Sequence, residues 1–194
     1  RSATDVRYRT QQYLVGLTAT FNVTAQATDE TVNRTVLGLN YQRFRGNRWF
    51  TEWYGGWDRH DELGIDSRYQ AGAGLGRYMI QTNKNQLSLQ AGLNAAHQSF
   101  TGIDDSTNKL EGRIQLRFLH RKIQPEANII FTSNYYPLLE DFSQFRVETD
   151  LILRREFYED LFFDVTMTHS YNSDPPSGGE KDDYIVTTSI GYSW

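Results

Sequence analysis

Apolar and polar residues alternate one by one along most of this chain, and the stretch from residue 183 to 194 shows the pattern most clearly. Tyr184, Val186, Ile190, Tyr192 and Trp194 fall on one set of alternate positions, while small and polar residues fill most of the other set. Because the side chains of a β-strand point to opposite faces in turn, this spacing predicts a strand with an apolar, aromatic face and a polar face.

The same two-residue period recurs in nine earlier segments. These segments cover residues 13–24, 34–42, 49–60, 68–79, 87–98, 110–118, 126–135, 146–154 and 161–172. Segments of about ten residues exceed the roughly 5–6 residues typical of soluble strands and match the roughly 9–11 of a membrane-spanning strand. The sequence therefore predicts an all-β, antiparallel up-and-down transmembrane β-barrel with about ten strands, in one domain over residues 1–194. A water-soluble sheet, such as a lipocalin-like binder, is the alternative.

The predicted connections alternate between short and long. Short turns are predicted near residues 45–48, 81–85, 120–122 and 156–160, and longer loops near 25–31, 60–66, 101–108, 136–143 and 173–182. Basic residues gather at the short turns, and acidic residues, Asp104 and Asp105 among them, gather in the long loops. Outer-membrane barrels have short periplasmic turns and longer extracellular loops, so the chain is predicted to end at the periplasmic edge. The polar residues 1–11 are interpreted as the end of an earlier strand or a turn.

Composition narrows the possible classes of protein. The chain has 194 residues, a net charge of −4 and no cysteine, so disulfide and thiolate chemistry are excluded. It is not basic, and nothing in it indicates a nucleic-acid partner. No apolar run approaches the roughly 18 residues of a membrane helix, but a strand that crosses a membrane needs apolar residues only at alternate positions.

The polar face of the predicted strands is rich in charges of both signs. We expect a network among Arg68, Glu111, Arg113, Arg117, Glu126, Arg146, Glu148, Asp150 and Arg154. Buried charges have to be paired, and a small barrel has little interior room beyond its own side chains. The sequence therefore predicts a lumen largely filled by polar and charged side chains. A narrow porin or small-solute channel is the alternative.

No catalytic, cofactor or metal site is predicted. The four histidines are far apart and lack metal-ligand spacing. His60 lies beside Asp58 and Asp61, so a hydrolase that orients a water molecule is a further alternative. An ordinary polar residue at the rim is the preferred interpretation of His60, and the protein is predicted not to be an enzyme.

Four stretches of the chain resemble the salt-induced outer-membrane protein family, whose domain is classed as of unknown function. They are residues 48–53 (RWFTEW), 64–80 (GIDSRYQAGAGLGRYMI), 86–93 (QLSLQAGL) and the tail 172–194, with Asp174-Pro175-Pro176 before Glu180-Lys181. The final strand also resembles the carboxy-terminal signature of outer-membrane barrels. Two features depart from the family pattern: the family usually has a further strand pair upstream, and it closes more often with Phe than with Trp.

The resemblance implies a location and partners, and almost nothing about activity. It implies an integral protein of the Gram-negative outer membrane, with twelve strands if an upstream hairpin is present, and a connection to salt stress. Its partners would be outer-membrane lipid and lipopolysaccharide, the barrel-assembly machinery during insertion, and other envelope proteins. The expected role is structural or partner-docking, with no cofactor.

Overall fold

The computed structural model describes residues 2–25, 31–60, 65–100, 103–122, 127–158, 161–175 and 180–192. These residues form eleven β-strands and no helix. The strands are β1 (Ser2–Arg9), β2 (Tyr13–Ala25), β3 (Thr31–Phe44), β4 (Trp49–His60), β5 (Ile65–Gln81), β6 (Asn85–Phe100), β7 (Ile103–Lys122), β8 (Ala127–Pro137), β9 (Phe145–Tyr158), β10 (Leu161–Asn172) and β11 (Asp182–Tyr192).

The strands form one sheet in which each neighbours the next along the chain, in the order β1 to β11. The registers are antiparallel; Leu17 of β2, for example, lies opposite Val6 of β1 and Leu39 of β3. The predicted all-β, antiparallel up-and-down architecture is therefore confirmed. The order of the described strands ends at β1 and at β11, so closure into a barrel remains part of the proposal below.

The sequence predicted about ten strands and eleven are described, because residues 2–9, interpreted as the end of an earlier strand or a turn, form β1 and pair with β2 over their whole length. Only Val6 and Tyr8 are large and apolar in this strand. Two apolar positions gave too weak an alternation to identify a strand from the sequence. Backbone hydrogen bonding to β2 compensates for the polar side chains.

The predicted alternation of connection lengths is also wrong in part. β7 begins at Ile103, so the backbone of Asp104 and Asp105 belongs to a strand and the β6–β7 connection is reduced to residues 101–102. β5 likewise begins at Ile65, inside the loop predicted over 60–66. Polar composition suggested loops here, but it does not distinguish a loop from a strand that continues beyond the apolar part of the sheet.

The hairpin turn predicted between residues 45 and 48 is confirmed. Gly46, Asn47 and Arg48 have positive φ angles of 73°, 48° and 66°. The amide of Arg45 donates to the carbonyl of Trp49 at 2.8 Å, and the amide of Trp49 donates to the carbonyl of Gly46 at 3.0 Å. Glycine and asparagine tolerate this left-handed region better than other residues, which explains their place in the turn.

By their contacts, the residues divide into two compact units. Unit 1 contains residues 1–75, 92–112 and 138–140, and unit 2 contains residues 76–91, 113–137 and 141–194. The single domain over residues 1–194 stays a prediction.

The distribution of polarity in this sheet is the reverse of that in a water-soluble protein. Among the described residues, eight of the fourteen buried ones are polar or charged: Gln42, Glu52, Ser88, Gln90, Asn94, Glu111, Arg113 and Asn134. Twenty-six large apolar side chains are exposed instead, on most of the strands. In β5 the exposed positions run from Tyr69 to Met79 at every second residue, as the sequence pattern predicted. The sheet therefore has a polar, partly buried face and an apolar, exposed face.

Candidate functional site

The polar face of unit 1 is organised by a tyrosine that reaches across a strand. The hydroxyl of Tyr54, on β4, donates to Oδ1 of Asn94, on β6, at 2.9 Å. β5 lies between them, and a Cβ atom at Gly72 of β5 would collide with the Tyr54 hydroxyl. Gly72 therefore provides the space through which the tyrosine passes.

Asn94 extends this contact to a buried carboxylate. Its side chain is fully buried, and Nδ2 donates to Oε2 of Glu111, on β7, at 2.8 Å. Glu111 is 4% exposed, so a donated hydrogen bond is needed to offset the cost of taking its carboxylate out of water. The side chains of Tyr54, Asn94 and Glu111 thus form one chain of hydrogen bonds across four strands.

Two other acidic groups of this face differ in their pairing. Asp58 of β4 lies 3.4 Å from Nε of Arg68, on β5, and both side chains are largely buried. Glu52, six residues earlier in β4, is 5% exposed, and its Oε2 has no hydrogen-bond partner among the described residues. Arg68 is therefore engaged with Asp58, whereas one carboxylate oxygen of the buried Glu52 has no hydrogen-bond partner in the described part of the chain.

In unit 2 an asparagine again connects the polar face. Oδ1 of Asn134, on β8, accepts hydrogen bonds from Nε of Arg113 at 3.3 Å and from Nε2 of Gln115 at 2.9 Å. Arg113 and Asn134 are each 8% exposed. One neutral acceptor thus holds two side chains of β7.

Two carboxylates of unit 2, those of Glu148 and Asp150, bind a basic and a hydroxyl donor. Arg146 pairs with Glu148, and its guanidinium lies 3.6 Å from the centroid of the Tyr136 ring. Oδ1 of Asp150 accepts a hydrogen bond from the hydroxyl of Thr168 at 3.0 Å.

Arg154 forms the best-defined ion pair of unit 2. Its Nε and Nη2 donate to the two carboxylate oxygens of Asp164 at 2.8 and 2.9 Å. The same guanidinium lies 4.3 Å from the centroid of the Phe162 ring. This two-point geometry suits arginine, whose planar guanidinium matches a carboxylate.

These contacts form separate clusters, and one network among all the charged residues named from the sequence stays a prediction. Arg117 is half-buried on β7 opposite Thr132, and Glu126 lies outside the described residues. Sequence reasoning missed Tyr54, Asn94 and Asn134, the neutral residues that connect the charged ones. All three occupy polar positions of alternating strands, but only charged residues had been considered for the network.

The apolar face of unit 1 carries a row of aromatic rings across four strands. Tyr8, Tyr13, Tyr41 and Trp53 follow one another with ring centroids 6.1, 6.0 and 5.7 Å apart. The row lies towards the end of the sheet where the β1–β2 and β3–β4 turns are found.

Unit 2 has aromatic contacts towards both ends of its strands. Tyr135, Phe145 and Tyr171 form a row with centroid distances of 5.5 and 5.6 Å, next to the β8–β9 connection. Phe157 and Phe163 are 6.4 Å apart, next to the β9–β10 connection. On β10, Phe163 of one group and Tyr171 of the other lie on the same face, eight residue steps apart.

The terminal strand also presents its apolar residues to the exposed face. Tyr184, Val186 and Ile190 of β11 are exposed, and the ring of Tyr184 stacks on His169 with centroids 4.3 Å apart. The backbone of Tyr192 belongs to β11, while its side chain and Trp194 lie outside the described residues. A role of this strand in closing or assembling a barrel stays a prediction.

The described residues show little that would support a hydrolase or a metal site. His60 pairs through its backbone with Arg34, but its side chain is not among those described. In the described part of the chain, no group of three or more histidine, cysteine or acidic residues could hold a metal ion. No helix in that part is long and apolar enough to cross a membrane.

One carboxylate outside the strands has a shifted pKa. The hydroxyl and then the amide of Ser143 donate to Oδ1 of Asp141, at 2.7 and 3.0 Å, and these bonds lower the pKa of Asp141 below its ordinary value. Asp141 is fully exposed, in the β8–β9 connection. The bonds stabilise a surface turn.

The fold and its two faces define a class: an all-β antiparallel meander with a polar buried face and an apolar exposed face. The chain belongs to a family described as "Protein of unknown function, DUF481", whose model matches residues 1–194. This match does not test the resemblance to salt-induced outer-membrane proteins. No curated protein and no solved structure matches the chain.

Proposed function

We propose that this protein is an integral β-barrel of the bacterial outer membrane, with a structural or partner-docking role and no enzymatic activity. The observation that carries the proposal is the reversed polarity of the sheet. A water-soluble monomer rarely exposes apolar patches beyond a few hundred Å², whereas here large apolar side chains are exposed on most strands. Lipid would cover this face, and the polar face would line the lumen.

The spacing of the aromatic rings supports a membrane of ordinary thickness. Eight residue steps separate Phe163 from Tyr171 on β10, which corresponds to about 26 Å along the strand. At the usual tilt of about 35–45° this becomes about 20 Å along the membrane normal, comparable with the apolar band of about 25 Å in outer-membrane barrels. Aromatic residues at both edges of such a band are typical of these proteins.

The pairing of the polar groups supports a structural role over transport. Asp58 with Arg68, Glu148 with Arg146 and Asp164 with Arg154 are neutralised by direct contacts. Tyr54 and Asn94 also occupy space on the same face. Side chains that engage one another in this way would fill a narrow lumen.

Strand number adds a condition to the proposed barrel. Neighbouring strands in an up-and-down sheet alternate in direction, so antiparallel closure requires an even number of strands. Eleven strands are described. The proposed barrel therefore includes at least one further strand, in line with the twelve expected from the resemblance to salt-induced outer-membrane proteins. That resemblance also supports the outer-membrane location and a connection with salt stress.

Heat-modifiability tests the proposal directly. The protein is extracted from membranes in detergent, and its mobility on a gel is compared before and after boiling, with circular dichroism as a measure of strand content. We expect a mobility shift and a strand-rich spectrum. A protein that dissolves in plain buffer and shows no shift would refute the membrane barrel. Steady single-channel conductance in planar bilayers would replace the structural role with that of a narrow channel.

A further inference from the structure

Basic side chains interrupt the apolar face close to the hairpin ends of three strands. Arg43 of β3, Arg77 of β5 and Arg155 of β9 are exposed and stand at positions that alternate with the polar face. No acidic residue occupies the corresponding alternate positions in these three strands. The face is therefore apolar over most of its length and positively charged near one end of each strand.

In unit 1, Arg43 borders the aromatic row. It follows Tyr41 by two residues, and it lies opposite Tyr13 of β2 and Thr51 of β4. Neither neighbour is acidic, so the strands beside Arg43 supply no counter-charge at its own level. An exposed arginine next to tyrosine rings is suited to the boundary between hydrocarbon and headgroups.

Unit 2 repeats the arrangement at Arg155. This residue stands between Leu153 and Phe157 on its own strand, and it lies opposite Ala127 of β8 and Phe163 of β10. Phe163 and Phe157 form the aromatic pair beside the β9–β10 connection. The same combination of exposed arginine, aromatic neighbour and hairpin end thus occurs independently in both units.

We propose that these arginines bind the phosphate groups of anionic phospholipids in the periplasmic leaflet. The inference rests on the proposed membrane location and adds the lipid that the surface selects. β3, β5 and β9 are each followed by a short connection, of four, three and two residues. Short turns of outer-membrane barrels lie on the periplasmic side, where phospholipid rather than lipopolysaccharide forms the leaflet. The guanidinium matches phosphate by charge and by two-point hydrogen bonding.

Tryptophan fluorescence provides the test, because Trp49 and Trp53 are both exposed on β4 beside the hairpin that Arg43 precedes. The whole chain is reconstituted in phosphatidylcholine vesicles that contain brominated phosphatidylglycerol or, at the same mole fraction, brominated phosphatidylcholine. We expect stronger quenching by the anionic lipid. The difference should correspond to an association about fivefold tighter, which is the contribution of one basic residue near a membrane surface. High salt should reduce this preference.

Two variants that each remove one positive charge show where on the sheet the preference for anionic lipid arises. Arg43→Gln should abolish the preference for phosphatidylglycerol, whereas Arg59→Gln, near the opposite end of β4 on the same face, should leave it intact. Circular dichroism and the heat-dependent mobility shift verify that each variant is folded. Arg43 is exposed, so we expect its replacement to preserve the sheet.

The phosphate site, the choice of phospholipid and the membrane location would each be refuted by a different result. Equal quenching by both lipids in the unmodified protein, a preference that survives Arg43→Gln, or an equal loss in Arg59→Gln would refute the phosphate site. Tighter association with lipopolysaccharide added to the vesicles would refute the assignment to phospholipid. Absence of quenching by either brominated lipid would refute the membrane location itself.

Discussion

An arginine substitution at the centre of the apolar face distinguishes a membrane protein from a water-soluble one by its effect on the free energy of unfolding. Leu17 is 54% exposed and lies midway between Tyr13 and Phe21 along β2. Four residue steps on either side correspond to about 13 Å along the strand, which puts Leu17 near the middle of the proposed band. Leu17→Arg should therefore lower the free energy of unfolding by about 2–4 kcal/mol.

Met79 is the matched control. It is also a large apolar residue, 51% exposed, but it stands two positions before the end of β5. Met79→Arg should cost about 0–1 kcal/mol, because charged side chains near the interface reach the headgroups. In a water-soluble protein both positions would be ordinary surface sites, and each substitution would change stability by no more than about 0.5 kcal/mol.

Urea unfolding from phosphatidylcholine vesicles, followed by tryptophan fluorescence, measures the two costs. The membrane interpretation requires the midpoint of Leu17→Arg to fall well below that of Met79→Arg. Equal midpoints for both variants and the unmodified protein would refute the assignment of the exposed apolar face to lipid.

Three smaller perturbations test the polar groups. Glu52→Gln should raise the free energy of unfolding by about 1–3 kcal/mol, measured by urea titration, because it removes the charge of a buried carboxylate, one oxygen of which has no partner among the described residues. Arg154→Lys should lower it by only about 0.5 kcal/mol, since the arginine is partly exposed, and a double-mutant cycle with Asp164→Asn would isolate the pair. Ser143→Ala should raise the pKa of Asp141 towards its ordinary value in an NMR titration. In the unmodified protein, these bonds stabilise the turn at pH values above the ordinary pKa of Asp141, and the stabilisation is lost as the pH falls through the lowered pKa. An unchanged pKa in Ser143→Ala would contradict the assigned cause.

Alternation along the chain predicted the strands and their two faces well, because burial in a sheet follows the two-residue period. The faces of β5 over residues 69–79 and of β11 over residues 184–188 agree with their sequence patterns position by position. The sequence left β1 open between the end of a strand and a turn, because its side chains are mostly polar and its order depends on backbone pairing with β2.

Contacts between side chains of the polar face could be predicted only where the two residues are close in sequence. Arg146 and Glu148 stand two residues apart on one strand and therefore share a face. Asn94 meets Glu111 only because β6 and β7 adopt one particular register, which no local pattern specifies. The neutral residues that connect the charged groups were missed for the same reason.

The hydrogen bond from Tyr54 to Asn94 has a consequence for the register of the sheet. Each hairpin of a meander can form by itself, because its two strands are neighbours in the chain. The tyrosine and the asparagine, however, meet across β5, over Gly72. A slip of one residue in β5 would turn Gly72 to the opposite face and bring a side chain into the tyrosine's path. The bond can therefore form only when three strands are correctly aligned, so it stabilises the native register and not a sheet in which β5 has slipped.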